Sequence, residues 1–212
     1  MANVYTKMGS YPEQDVTFLL KDLSSIEMEK STEERERSIQ SGAHYSEMLP
    51  IEYKPTASYM TLFYQSLEES KEKVAEAVAV VAEQIVKKRG FQTVLCSLAR
   101  AGTPIGVLIK RYIRKTYGVD LPHYSISIIR DRGIDENALH YMLKVHPGFE
   151  IAFIDGWTGK GAISKELQKA VFDFEKKYGV RLSSELAVLA DPGYCTHMYT
   201  ERERTFSFQV PA

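Results

Sequence analysis

The stretch Ile151-Ala-Phe-Ile-Asp155-Gly-Trp-Thr158-Gly-Lys-Gly161-Ala-Ile-Ser164 decides the fold of this 212-residue chain. Its apolar start, ending in an aspartate, predicts a buried strand. The three glycines that follow predict a tight turn. Beyond them, the spacing of Leu167, Val171 and Phe174 predicts a helix. A buried strand, a short turn and a helix form the basic unit of an α/β fold.

The same alternation of strands and helices continues on both sides of this stretch. Helices are predicted over residues 67–88, from Thr103-Pro104 and after Asp135, and strands over residues 91–99, 123–130 and 185–190. This order predicts a mostly parallel sheet with helices on both faces. Residues 1–66 are polar and contain a charged segment, 27–37, that predicts a solvated helix. We therefore expect an N-terminal hood or extension (1–66) and an α/β domain (67–212).

Composition narrows the class of protein. A hydrophobic content of 44% predicts a chain that buries a substantial core, and 27 basic against 28 acidic residues create no global field toward nucleic acid or anionic membrane. The N-terminus shows no signal-peptide pattern, and no apolar stretch is long enough to cross a membrane. Two cysteines are too few for a disulfide framework. We expect a cytoplasmic protein with no membrane or nucleic-acid partner.

Charged residues follow each of the four predicted strands. They are Arg100, the segment Arg130-Asp131-Arg132, Asp155 and Asp191. Ligands of parallel α/β sheets bind beyond the carboxyl ends of the strands, so this pattern predicts one charged crevice. The alternative is that these residues are charged only because loops are solvated.

The glycine-rich turn has the features of a phosphate site. Glycines let the backbone approach an anion, and the amides at a helix N-terminus point toward it. The predicted phosphate-binding residues are Thr158, Gly159, Lys160, Gly161 and Ala162. The spacing does not match a nucleoside triphosphate loop, which would need glycine at Ile154 and Ser or Thr at Gly161. A structural turn without a ligand is the alternative.

At these residues the sequence resembles the phosphoribosyltransferase superfamily. The segment 153–164 resembles its loop over the 5′-phosphate of phosphoribosyl diphosphate, and Ser97-Leu-Ala-Arg100-Ala-Gly-Thr-Pro104 resembles its diphosphate loop. Together with Ser41-Gly-Ala-His44-Tyr-Ser-Glu-Met-Leu-Pro50, the turn is also similar to a phosphoribosyltransferase-like family of bacterial tellurium-resistance and stress-response gene clusters. Some members of that family are labelled cysteine proteases, and members generally continue into a further C-terminal domain.

The resemblance implies a type I phosphoribosyltransferase-like fold, Mg²⁺, phosphoribosyl diphosphate as substrate, and transfer of its phosphoribosyl group to an unidentified acceptor. It implies catalytic roles for Arg100, Arg130 and Asp155, diphosphate binding by Ala99, Arg100, Ala101 and Gly102, metal binding by Asp155 and Asp191, and acceptor binding by His44, Tyr45 and Arg132. His44 and Tyr45 would belong to a hood over the crevice. A homodimer and a longer parent chain remain open.

One departure from the superfamily pattern keeps two other functions open. The usual pair of acidic residues is here Asp155-Gly156, so one carboxylate is absent or is supplied elsewhere, with Asp191 as the candidate. A non-catalytic sensor of a nucleotide or phosphosugar is therefore one alternative. A cysteine-dependent hydrolase is the other, because Cys195 and His197 would share a face of a strand.

Overall fold

The protein is described here by a computed structural model that covers residues 8–23, 25–26 and 28–200. Five α-helices lie in this part of the chain: α1 Thr32–Gln40, α2 Ala57–Arg89, α3 Gly102–Tyr117, α4 Glu136–Val145 and α5 Ala162–Tyr178. The strands are β1 Thr17–Phe18, β2 Glu29–Lys30, β3 Leu49–Pro50, β4 Thr93–Leu98, β5 His123–Ile126, β6 Ile128–Ile129, β7 Gly133–Ile134, β8 Glu150–Ile154 and β9 Leu186–Ala187. None of the helices in the described ranges is long and apolar enough to cross a membrane.

The central sheet has five parallel strands in the order β1-β5-β4-β8-β9. Its middle strand, β4, is buried at every residue, as the apolar sequence predicts. Cys96 of β4 lies opposite Tyr124 of β5 on one side and Phe153 of β8 on the other. Because all five strands run the same way, their carboxyl ends meet at one edge of the sheet.

Helices cover both faces of this sheet. Val94, Cys96 and Leu98 pack with residues of α4 and α5, whereas Leu95 packs with residues of α2 and α3. Side chains alternate between faces along a strand, so one apolar run supplies both cores. The predicted α/β fold, with a mostly parallel sheet and helices on both faces, is confirmed.

The chain divides into two compact units. One comprises the residues up to Leu20 and those from Lys73 onward, and the second runs from Lys21 to Glu72. Within the second unit, α1 has no buried residue and begins with a capping box between Ser31 and Glu34, which agrees with the predicted solvated helix.

The sequence placed a boundary near residue 66, but α2 runs without interruption from Ala57 to Arg89. The sequence predicted that this helix starts at Leu67. It begins ten residues earlier, at Ala57, because no helix breaker follows Pro55. β1, at Thr17–Phe18, pairs with β5 in the main sheet. The interpretation of residues 1–66 as a hood stays a prediction.

A buried hydrogen-bond chain ties the amino-terminal segment to the sheet. The Ser97 hydroxyl lies 2.7 Å from Nε2 of His123, and Nδ1 of His123 lies 2.7 Å from the carbonyl oxygen of Asp15. A carbonyl only accepts, so Nδ1 carries the proton and Nε2 accepts from Ser97. Gly106 of α3 must lack a side chain, because a Cβ there would collide with Ser97 Oγ and His123 Nε2. Burial lowers the pKa of His123 to about 4.

The stability of the fold should fall as His123 is forced to protonate. Because its folded-state pKa lies below the ordinary 6.5, its contribution is complete above pH 6.5 and is lost as the pH falls toward about 4. This pKa shift corresponds to on the order of 3 kcal/mol in the free energy of unfolding. In urea unfolding experiments across this pH range, the free energy of unfolding should decline less steeply with falling pH in His123→Gln than in the wild type, because glutamine cannot take up the proton. The exposed His140 provides the control, and a His123→Gln slope equal to that of His140→Gln would show that burial of His123 is not responsible.

Candidate functional site

A crevice of about 250 Å³ opens at the carboxyl edge of the sheet. It is lined by Ala101 after β4, Arg130 after β6, Asp155 after β8, and residues 157–164. The structure thus brings Arg130, Asp155 and the predicted phosphate turn together, as expected from the topology. Arg100 is exposed but does not line the crevice, although its neighbour Ala101 does.

The glycine turn, residues 156–161, is held from below by a second loop. The amide of Thr158 donates to the carbonyl oxygen of Ala190 at 3.0 Å, and its hydroxyl donates to Asp191 and accepts from the amide of Gly193. Thr158 is buried, so its amide and hydroxyl are structural groups. The sequence assigned both to a phosphate; in the structure both form hydrogen bonds within the fold, and phosphate binding by Thr158 stays a prediction.

The rest of the turn has unused donors. In the described residues, the amides of Gly159, Lys160 and Gly161 have no backbone acceptor, and the N-cap Gly161, at φ 78°, gives α5 no side-chain cap. The first turn of α5 contains no acidic residue, so its positive end stays uncompensated. Lys160 is exposed beside these amides. These groups can receive an anion that approaches through the crevice.

Asp191 has a different position from the one predicted. It is fully buried, and its carboxylate accepts hydrogen bonds from the amides of Cys195 at 2.8 Å and Thr196 at 3.3 Å as well as from Thr158. Metal binding by Asp191 stays a prediction, and it would require opening of the loop that buries this carboxylate. Its observed contacts instead join the loop after β9 to the glycine turn.

Among the residues that the structure describes, Asp155 is the acidic one that lines the crevice. Burial raises its pKa to about 6, against the opposing effect of a hydrogen bond from the Gly156 amide at 2.8 Å. The described residues contain no cluster of three or more potential metal ligands. A single carboxylate nevertheless fits Mg²⁺, which commonly binds through one or two carboxylates, water and substrate phosphates.

The predicted diphosphate loop, residues 99–102, packs directly against the backbone of Ile154 and Asp155. A Cβ on Gly102 would collide with the carbonyl oxygen of Ile154, so the close approach requires glycine. A Cβ on Gly156 would lie 3.6 Å from the Ala101 Cβ, which is an ordinary contact. The loop contains a cis peptide bond between Ala99 and Arg100. The two sequence motifs are therefore neighbours in the fold.

Arg130 begins the turn of the antiparallel hairpin formed by β6 and β7. The amide of Asp131, a residue at φ 63°, donates to the Glu166 carboxylate of α5 at 2.9 Å, which fastens this turn beside the crevice. Arg132 lines a different cavity, of about 520 Å³, together with Glu166. It does not line the Asp155 crevice, and acceptor binding by Arg132 stays a prediction.

His44 and Tyr45 belong to the second compact unit. Nδ1 of His44 lies 2.8 Å from the Ser46 hydroxyl, and the imidazole caps a short 3₁₀ helix over Tyr45–Glu47. This local contact gives His44 a structural role. Binding of an acceptor by His44 and Tyr45 stays a prediction.

Cys195 and His197 line a separate cavity of about 570 Å³. The Cys195 thiol donates to the carbonyl oxygen of Gly193, with Sγ at 3.0 Å, and its sulfur fills the space beside Gly161. Cys96 is fully buried in β4, where burial raises the pKa of its thiol. Cys195 is therefore the cysteine with access to solvent.

Trp157 was not predicted as a site residue. It lines the crevice and is 60% exposed, although it lies between the buried residues Gly156 and Thr158. The available signal was its position: the one tryptophan of the chain stands inside the decisive motif.

The chain is 44% identical over 188 residues to a curated protein named "Cysteine protease StiP" from Acinetobacter baylyi (strain ATCC 33305 / BD413 / ADP1). The match covers 88% of this chain and 48% of the relative, so the chain spans about half of that protein's length.

Two solved structures are also similar. The Helicobacter pylori xanthine-guanine-hypoxanthine phosphoribosyltransferase is 14% identical with a TM-score of 0.43, covering 62% of this chain and 82% of its own. A hypothetical protein from Neisseria gonorrhoeae with bound ppGpp is 10% identical with a TM-score of 0.40, covering 62% of this chain and 78% of its own. Residues 9–208 match a family model described as "Tellurite-like stress resistance cysteine protease StiP", which confirms the family predicted from the sequence. The chain belongs to the StiP family.

Proposed function

We propose that this chain binds phosphoribosyl diphosphate with Mg²⁺ in the crevice and transfers the phosphoribosyl group to an acceptor. One observation carries the proposal: the glycine turn presents unused amides, an uncapped helix N-terminus and Lys160 to the same crevice that Asp155 and Arg130 line. A phosphate fits the donors, and ribose hydroxyls fit the carboxylate.

In the proposed reaction, the bond between the anomeric carbon and the diphosphate oxygen breaks, and the diphosphate leaves with the bonding electrons. The acceptor nucleophile bonds to that carbon and releases a proton to water. Positive charge develops on the ribose ring in the transition state, and Asp155 is placed to hold the ring hydroxyls. Arg130 would neutralise the leaving diphosphate.

Mg²⁺, when bound, would supply further neutralisation of the diphosphate charge. Asp155 is the protein ligand that fits it, because it is the carboxylate that lines the crevice, whereas Asp191 is committed to Thr158, Cys195 and Thr196. Arg100 lies outside the crevice lining but is exposed beside Ala101, so a diphosphate role would require its side chain to turn toward the crevice.

A cysteine-dependent hydrolase is the second candidate, favoured by the family's description and by the cavity that Cys195 and His197 share. Against it, the Cys195 thiol donates to the Gly193 carbonyl, whereas the nucleophile in such enzymes is the thiolate. If this site hydrolyses peptides, Cys195→Ala abolishes the activity, because Cys96 is buried. Peptidase activity that survives in Cys195→Ala would exclude Cys195 as the nucleophile.

Lys160→Ala should weaken binding of ribose 5-phosphate by roughly 1 to 3 kcal/mol, about 5- to 150-fold, because one charge-assisted contact to the phosphate is lost. Stability should change little, since Lys160 is exposed. Isothermal titration calorimetry measures the affinity. Lys176→Ala, an exposed lysine in the last turn of α5, is the matched control. Equal affinity in the two variants would leave the backbone amides as the phosphate anchor and remove Lys160 from the site.

Asp155→Asn should slow diphosphate release from phosphoribosyl diphosphate by about a hundredfold. The ionised carboxylate is the active form, so wild-type turnover should rise as the pH increases from acid values, and the variant should lose this rise. Asp173→Asn, on the exposed side of α5, serves as the control. A rise that persists in Asp155→Asn would assign the titration to another group. Substrate binding without any diphosphate release in the wild type would identify a phosphosugar sensor.

A further inference from the structure

Trp157 is an exposed aromatic side chain on a rigid backbone. The carbonyl oxygen of Gly156 accepts from the Leu189 amide at 3.1 Å, the Thr158 amide donates to Ala190 at 3.0 Å, and Trp157 itself forms a parallel bridge with Ala190. The backbone is therefore fixed on both sides of the residue. Its exposure of 60% follows from this fixed position at the edge of the crevice and not from a loose loop.

The lining of the crevice divides into two chemical parts. Lys160, Arg130 and the free amides of the glycine turn favour an anion, whereas Trp157 supplies an aromatic plane. The other apolar lining residues, Ala101, Ala162, Ile163 and Leu186, are aliphatic. An aromatic plane beside a phosphate site suits a ligand that carries both a phosphate and a planar ring.

The size of the crevice indicates where the ring of such a ligand would lie. Its volume of about 250 Å³ is smaller than the roughly 300 to 1,000 Å³ typical of sites that enclose a drug-sized ligand. A phosphorylated ribose would occupy the enclosed part, and a base attached to that ribose would extend to the rim. Trp157 is the crevice residue whose exposed aromatic surface can cover it.

We infer that Trp157 is a specificity-determining residue that stacks on the planar base of a nucleoside 5′-monophosphate whose phosphate lies on the glycine turn. This inference rests on the proposed function and deepens it, because it names the residue of this chain that would contact a base attached to the phosphorylated ribose. The base would contact Trp157 through its face, so stacking distinguishes ligands with a base from ribose 5-phosphate alone.

Calorimetry with ribose 5-phosphate, adenosine 5′-monophosphate, guanosine 5′-monophosphate and uridine 5′-monophosphate tests the inference. At least one nucleotide should bind the wild-type chain about tenfold or more tightly than ribose 5-phosphate. Trp157→Ala should weaken the binding of that nucleotide by roughly 5- to 150-fold, the range for losing one base-aromatic stack. It should leave the affinity for ribose 5-phosphate unchanged. Trp157→Phe should restore part of the loss. Because the chain has one tryptophan, the same nucleotide should also quench its intrinsic fluorescence.

Phe172→Ala is the matched control, because Phe172 is 65% exposed on α5 and does not line the crevice. This variant should bind all four ligands as the wild type does. If Trp157→Ala loses affinity equally for ribose 5-phosphate and for nucleotides, or loses no affinity for nucleotides, the stacking role is overturned. No binding of ribose 5-phosphate to the wild type would instead overturn the proposed phosphate site.

Discussion

The buried carboxylate of Asp191 holds the crevice in shape. A carboxylate without exposed surface is costly unless donors surround it, and here two backbone amides and the Thr158 hydroxyl supply them. Thr158 is thereby fixed from the loop after β9, thirty-three residues away in sequence. Because Thr158 is held from behind, the amides that follow it in the glycine turn can point outward. The outward position of the amides after Thr158 thus depends on a buried charge that does not line the crevice.

Sequence patterns predicted much of this arrangement, because the fold is made of local signals. Apolar runs gave the buried strands, helical spacing gave the helices, and parallel topology required the residues after the strands to meet at one edge. Arg130, Asp155 and the glycine turn do line one crevice. The two motifs that resemble phosphoribosyltransferase loops also lie in contact, with Gly102 against Ile154.

The remaining features depend on long-range contacts that no local pattern contains. Asp191 looks like an accessible ligand in the sequence, but its orientation is set by Thr158 and by amides that come together only in the fold. β1 has two residues, too few for a periodic signal, and is defined by its pairing with β5. Gly156 is different again: a Cβ there would meet only ordinary contacts, so the fold does not require glycine where a second acidic residue is usual.

Ser97 with His123, and Cys195 with His197, are residue pairs that suggest catalytic chemistry. They differ from the candidate site in their access to solvent and in how far their hydrogen-bonding groups are already paired. Ser97 and His123 form a good hydrogen bond, yet both are buried under Gly106 and their donors and acceptors are already paired, so they stabilise the fold. The Cys195 thiol is more accessible, but its proton is committed to Gly193 and its sulfur supports the back of the glycine turn at Gly161. In the crevice, by contrast, polar groups are accessible and not all paired. Amides without acceptors and an exposed lysine lie there beside a carboxylate whose pKa burial raises to about 6. Unused hydrogen-bonding capacity at an accessible position is what a ligand can satisfy, and this is why we propose the crevice as the ligand site.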